Sequence, residues 1–170
     1  PSIFVRLSSK TIFVQLTIGN TAPNFTLPSS DRTKITLSDF KGQNVVILFF
    51  PFAFTGVCTK ELCDIRDNKA MYDGWEAQVF AISVDAPASL AAFKEVQGYN
   101  FPLLSDFNKA VSIQYGVLYP EFAGGLKGVS KRAAFVIDRF GKIRYAEVLE
   151  NAGELPNFVA IQQLLQTLKD

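Results

Sequence analysis

Histidine is absent from all 170 residues. Its absence removes the commonest general base near neutral pH and the commonest zinc ligand together. Nucleophilic or acid–base chemistry must then come from Cys, Arg, Lys, Tyr, Asp, Glu, Ser or Thr. Cysteine is scarce as well: Cys58 and Cys63 are the only two. Two cysteines cannot form the framework of a disulfide-stapled secreted domain, and without histidine they do not complete a structural zinc site. Charge of one sign is lacking too, since 17 Lys and Arg against 16 Asp and Glu leave a net +1 with the signs interspersed. There is no basic stripe for nucleic acid and no acidic tail. Apolar runs of the ~18–20 residues a membrane helix needs are missing. Residues 1–16 mix apolar and polar side chains and lack the charged-then-apolar order and small-residue cleavage site of a signal peptide. A cytoplasmic protein that engages neither nucleic acid nor membrane is expected.

What the chain has is apolar mass. Apolar residues make up 48 %, and 16 of the residues are Phe, which excludes disorder and predicts a globule with a real core. The length suits one domain, taken as residues 17–170 behind an N-terminal extension of residues 1–16.

Turn-rich stretches at 21–24 and 28–32 bracket short extended pieces at 25–27 and 34–37, an N-terminal β-hairpin. Val45 to Phe50 is apolar throughout, the mark of a strand buried on both faces. A helix is expected from about Val57 to Tyr72, and a second apolar strand from Val79 to Val84. The next helix should run from Pro87 to Gln97, with Leu90, Phe93 and Val96 inward and Gly98 as its stop. Residues 102–106 read as a short strand or turn, Lys109 to Tyr115 as a short helix, and Tyr119 to Gly128 as a loop. A strand at 133–138 turns back through 139–142 into another at 143–149. An amphipathic helix, Pro156 to Leu168, closes the order. This succession specifies an α/β protein on the thioredoxin-like plan, with a mixed central sheet flanked by helices.

The segment Pro51-Phe52-Ala53-Phe54-Thr55-Gly56-Val57-Cys58 carries the chemistry. It puts a cysteine just past a buried strand, where a helix begins. Unpaired amides and partial positive charge at a helix N-terminus favour thiolate over thiol. Free cysteine is also a common inert core residue, so position alone leaves both readings open. Thr55, three residues upstream, can aim a hydroxyl into the same pocket, and Pro51 closes the strand without an amide to offer.

Pro51-x-x-x-Thr55-x-x-Cys58 resembles the active-site signature of the peroxiredoxins, thiol peroxidases of the AhpC/TSA family. Residues 19–25, 101–106 and 132–138 resemble them too, so the likeness spans roughly Ile18 to the C-terminus. The segments at 51–58 and 101–107 look closest to the alkyl hydroperoxide reductase E-like group. The resemblance implies an antioxidant oxidoreductase that reduces hydrogen peroxide and organic hydroperoxides without metal or organic cofactor. Cys58 would be the peroxidatic cysteine, oxidised to a sulfenic acid. Thr55 would hydrogen-bond the peroxide, Pro51 would shield the pocket, and Arg132 would hold thiolate and peroxide. Read from the residues alone, an arginine before a buried strand is more often a surface side chain, and only the resemblance reverses that for Arg132. Glu61 is either a solvated helix residue or the acceptor that orients Arg132.

Cys63 follows Cys58 by five residues. Peroxiredoxins of the Q type (bacterioferritin comigratory protein) carry a resolving cysteine at this spacing, which implies an intrachain disulfide. Otherwise Cys63 is a helix cysteine and an external thiol resolves Cys58. A five-residue offset on an intact helix separates Cα atoms by about 8.6 Å, and a disulfide needs less than about 7 Å, so bridging requires part of residues 56–66 to unwind. The reductant implied is thioredoxin, glutaredoxin or a low-molecular-weight thiol. No cysteine follows Cys63, so a disulfide between subunits is not expected, and a monomer or homodimer is. Phe49, Phe50, Phe52 and Phe54 are read as mainly core, some of them forming an apolar collar that favours organic hydroperoxides. A disulfide oxidoreductase would need Cys-x-x-Cys, which is absent. A redox sensor or chaperone-like protein signalling through Cys58 oxidation is the non-enzymatic alternative.

Overall fold

The computed structural model describes residues 15–169. The first strands, β1 (Thr26–Pro28) and β2 (Lys34–Thr36), pair antiparallel as a small hairpin sheet, and a 3-10 turn (Leu37–Phe40) follows. Then come β3 (Asn44–Phe49), α1 (Gly56–Asp67), α2 (Lys69–Gly74), β4 (Ala77–Ser83), α3 (Pro87–Gln97), β5 (Leu103–Ser105), α4 (Ala110–Gln114), β6 (Arg132–Ile137), β7 (Ile143–Leu149) and α5 (Phe158–Thr167). Five strands form one mixed sheet in the order β5-β4-β3-β6-β7. The β4–β5 and β3–β4 pairs are parallel, and β3–β6 and β6–β7 are antiparallel.

Every residue of β3 is buried, because alternate side chains enter two different cores. Val46, Leu48 and Phe50 join Leu62 and Ile65 of α1, Tyr72 of α2, Leu90 and Phe93 of α3, and Ile161 and Leu165 of α5. Val45, Ile47 and Phe49 meet Leu27 of the hairpin, Leu37, Val111 of α4 and Tyr115. The fold is therefore α/β and thioredoxin-like, with the long helices on one face of the sheet and the hairpin on the other.

Two expectations shift. The helix foreseen from Val57 to Tyr72 is two helices, broken at Asn68. The Asn68 side chain donates to the Asp64 carbonyl at 2.8 Å and Asn100 donates to the Arg66 carbonyl at 3.2 Å, so side-chain amides satisfy carbonyls at the end of α1. Val96 is exposed rather than inward. The buried stripe of α3 runs through Leu90 and Phe93, and its continuation one heptad after Leu90 falls on Gln97. Phe49 and Phe50 are fully buried on opposite faces of the sheet, in keeping with their reading as mainly core, which leaves only Phe52 and Phe54 for a collar at the surface. The extension assigned to residues 1–16 lies outside the described residues except for Gln15 and Leu16, and Leu16 packs on the hairpin-side core.

Candidate active site

At the C-terminal end of β3 the chain runs through buried Pro51 to Phe54, whose φ of +60° lies in the left-handed region. For a non-glycine residue that conformation costs about 1–2 kcal/mol. It turns the backbone into Thr55, the extended N-cap residue of α1. The Thr59 amide bonds the Thr55 carbonyl at 2.9 Å, so the amides of Gly56, Val57 and Cys58 precede the helix's own ladder and lack intrahelical acceptors. Cys58 thus sits in the first turn, at the positive end of the helix dipole, and is only 1 % exposed.

β6 brings the cation. Its pairing with β3 ends at Ala133 opposite Phe49, so Arg132 stands one residue further on, beside the start of the Pro51–Thr55 loop. Arg132 is buried. Its Nη2 donates to Cys58 Sγ at 3.2 Å, and its Nη1 donates to Glu61 Oε2. Nε and Nη2 also donate to the Ala152 carbonyl at 3.2 and 2.9 Å, just after β7. Cys58 and Glu61 are three apart on α1 and so share a face. The guanidinium fork joins them to a backbone carbonyl from the other side of the site.

Electrostatics follow from burial. Glu61 is 0 % exposed. Desolvation pushes its carboxyl up to about 7, against the pull of Arg132. Its second oxygen, Oε1, has no hydrogen-bond partner. Burial opposes the Arg132 charge, yet Glu61 and Cys58 outweigh it and carry the guanidinium above its ordinary value. Arg132 is therefore a fixed cation and Glu61 the member of the pair that titrates near neutrality.

The remaining candidates lie around this centre. Thr55 is exposed, and its hydroxyl donates to the Phe52 carbonyl at 2.9 Å rather than to the helix. Phe52 packs edge-on against Phe122 with ring centroids 6.0 Å apart, and Phe54 lies on Phe93 at 4.8 Å. Cys63 is half-buried further along α1 and faces α3, its sulfur 3.8 Å from Gln97 Oε1. Both thiols are free, and α1 is continuous between them. The structure brings Cys58, Glu61 and Arg132 together and leaves Cys63 apart. Two groups at the site were invisible in the sequence: the Ala152 carbonyl, which carries no side-chain signal, and Asp85, which accepts from the Ala53 amide at 2.9 Å.

Among the described residues, no three or more Cys, Asp or Glu side chains converge as a metal site would require. Among them too, no helix is long and apolar enough to cross a membrane.

The sequence model of the AhpC/TSA family matches residues 18–146. Alkyl hydroperoxide reductase E of Mycobacterium tuberculosis H37Rv is 40 % identical over 143 residues, covering 82 % of this chain and 90 % of that protein. Peroxiredoxin Bcp of Escherichia coli K12 is 39 % identical over 131 residues, covering 76 % of this chain and 84 % of that one. The crystal structure of peroxidoxin BcpB from Mycobacterium tuberculosis superposes with a TM-score of 0.76 at 33 % identity, over 91 % of this chain and 97 % of the other.

Proposed function

The chain belongs to the AhpC/TSA family of thiol-dependent peroxidases, and on that premise we propose that Cys58 is the thiol that attacks the hydroperoxide. The observation that carries this assignment is the buried Arg132 guanidinium, 3.2 Å from Cys58 Sγ and anchored on its other side by Glu61. A sulfur so placed gains a fixed positive charge that stays on at any working pH.

The Cys58 thiolate attacks the terminal peroxide oxygen in line. The S–O bond forms as the O–O bond breaks, and the leaving oxygen takes a proton and departs as water or an alcohol. Arg132 holds the sulfur and can offer a donor to the oxygen on which charge develops, in a site dry enough for that donor to matter. Thr55 Oγ1 donates to the Phe52 carbonyl and keeps lone pairs to accept the peroxide O–H. Pro51 walls the loop from water. Phe52, Phe54 and Phe122 line the approach and favour organic hydroperoxides.

Cys63 then attacks the Cys58 sulfenic acid. The S–S bond forms, the S–O bond breaks and water leaves, once the first turns of α1 unwind. Thioredoxin, glutaredoxin or a small thiol reduces the disulfide. The protein acts in the cytoplasm as a monomer or homodimer. Peroxide consumption with dithiothreitol tests the assignment of Cys58. Cys58→Ser is expected to lose turnover to background, and a Cys58→Ser protein that still consumes peroxide would overturn it.

A further inference from the structure

Beyond the last rung of the β3–β4 ladder, the site loop is held by a side chain instead of a strand. That rung runs from the Phe50 amide to the Ile82 carbonyl at 3.0 Å. Pro51 has no amide to continue it. The Ala53 amide then donates across to Asp85 Oδ2 at 2.9 Å, and the same oxygen accepts from the Ser83 hydroxyl at 2.6 Å. Asp85 is itself fixed at its backbone. Its amide donates to Ser83 Oγ at 3.2 Å, and its carbonyl accepts from the Ser105 hydroxyl at 2.6 Å. Ser83 and Ser105 are buried at the ends of β4 and β5, so the carboxylate rests on the sheet.

The residue after Ala53 is the one in the unfavourable conformation. Phe54 holds φ +60°, a region that bulky side chains avoid and that persists only where surroundings over-determine it. The residue is 55 % exposed and its ring rests on Phe93, which is a weak reason to adopt that backbone. The turn at Phe54 is also what makes Thr55 the N-cap residue and sets Cys58 in the first turn of α1.

We infer that Asp85 is a positioning residue for the peroxidase reaction: its carboxylate pins the Ala53 amide and thereby the left-handed turn at Phe54, keeping Thr55 and Cys58 in register with Arg132. This rests on Cys58 being the attacking thiol. In-line attack demands that sulfur, peroxide and donors align closely, and a misplacement of about 1 Å can cost about 100-fold. Alkylation of the thiol needs far less alignment.

The test compares two reactions of Cys58 in reduced protein: single-turnover oxidation by hydrogen peroxide and alkylation by iodoacetamide. Asp85→Ala is expected to slow oxidation about 10- to 100-fold while alkylation stays within about threefold. Asp85→Ser, too short to reach Ala53, should behave alike and serves if the alanine variant does not fold. Asp85→Asn keeps an acceptor oxygen and should restore oxidation to within about threefold of the parent protein. Oxidation within about threefold of the parent in both Asp85→Ala and Asp85→Ser would overturn the inference. So would an Asn variant as slow as the Ala variant, or slow oxidation accompanied by faster alkylation, the sign of a generally loosened site. A parent protein whose Cys58 does not react with peroxide would remove the premise instead, and the Asp85 variants would not be needed to see it.

Discussion

Arg132 is the largest of the fully buried side chains, and its charge is shared among the Cys58 sulfur, the Glu61 carboxylate and the Ala152 carbonyl. Lysine is a point donor and cannot span all three. Arg132→Lys is expected to lower the rate constant for Cys58 oxidation by about 100- to 1000-fold, the range for losing one preorganised donor. Stopped-flow single-turnover kinetics would check it. Glu61 carries a second prediction. Its carboxyl titrates at about 7 in the folded protein against 4.5 when solvated. The folded state therefore binds that proton more tightly than the unfolded chain. The stabilisation from this proton is present below pH 4.5 and is lost as pH rises to about 7, on the order of 3 kcal/mol in all. Glu61→Gln should flatten that fall in a series of urea titrations between the two pH values, and an unchanged slope would contradict the assignment. The thiol of this centre and the threonine beside it were legible in the sequence because their spacing is local. Arg132 lies 74 residues from Cys58, and its burial depends on a β6–β3 register and an Ala152 carbonyl that no local pattern encodes.

At the scale of elements, the two roles proposed for α1 conflict. Intact, it puts Cys58 at its N-terminus. To join Cys58 to Cys63 it must open, since the helical offset of about 8.6 Å exceeds disulfide reach. Hydrogen exchange should show residues 56–66 protected in reduced protein and exposed after one equivalent of peroxide, and equal protection with a disulfide present would contradict this. The neighbouring α3 was readable at both ends: Pro87 starts it and Gly98, at φ +65°, caps it. A Cβ at Gly98 would meet nothing within 4 Å, so Gly98→Ala should cost only the left-handed penalty, about 1–2 kcal/mol by denaturant unfolding. The break at Asn68 was not readable, because it depends on Asn100 reaching back from beyond α3 to the Arg66 carbonyl. Val96 was misread because a hydrophobic residue at nearly helical spacing looks inward until its angle relative to Leu90 is fixed.

The whole molecule is two cores divided by one sheet, and the site belongs to only one of them. Cys58 shares its layer with Phe50, Phe93 and the long helices. Phe135 lies in the other layer, against Phe49 and Tyr115. Phe135→Ala should destabilise the fold by about 3–5 kcal/mol while leaving the Cys58 oxidation rate within about threefold of the parent below the unfolding transition. A large loss of rate with the fold intact would mean that the two layers are coupled through the sheet. The unbroken apolar run at Val45–Phe50 announced burial on both faces, which is why the α/β class was legible. Strand order was less so, because the chain visits β3, β4 and β5 outward in one direction and returns to place β6 on the other side of β3.

The most direct measurement is mass spectrometry of the reduced protein after one equivalent of hydrogen peroxide, with dimedone present. The account predicts rapid loss of two hydrogens and a peptide linking Cys58 to Cys63. A dimedone adduct confined to Cys58 would contradict the resolving role of Cys63 and hand that step to an external thiol. Slow or absent reaction at Cys58 would contradict the central claim, that Arg132, Glu61 and the start of α1 make this sulfur a peroxide nucleophile.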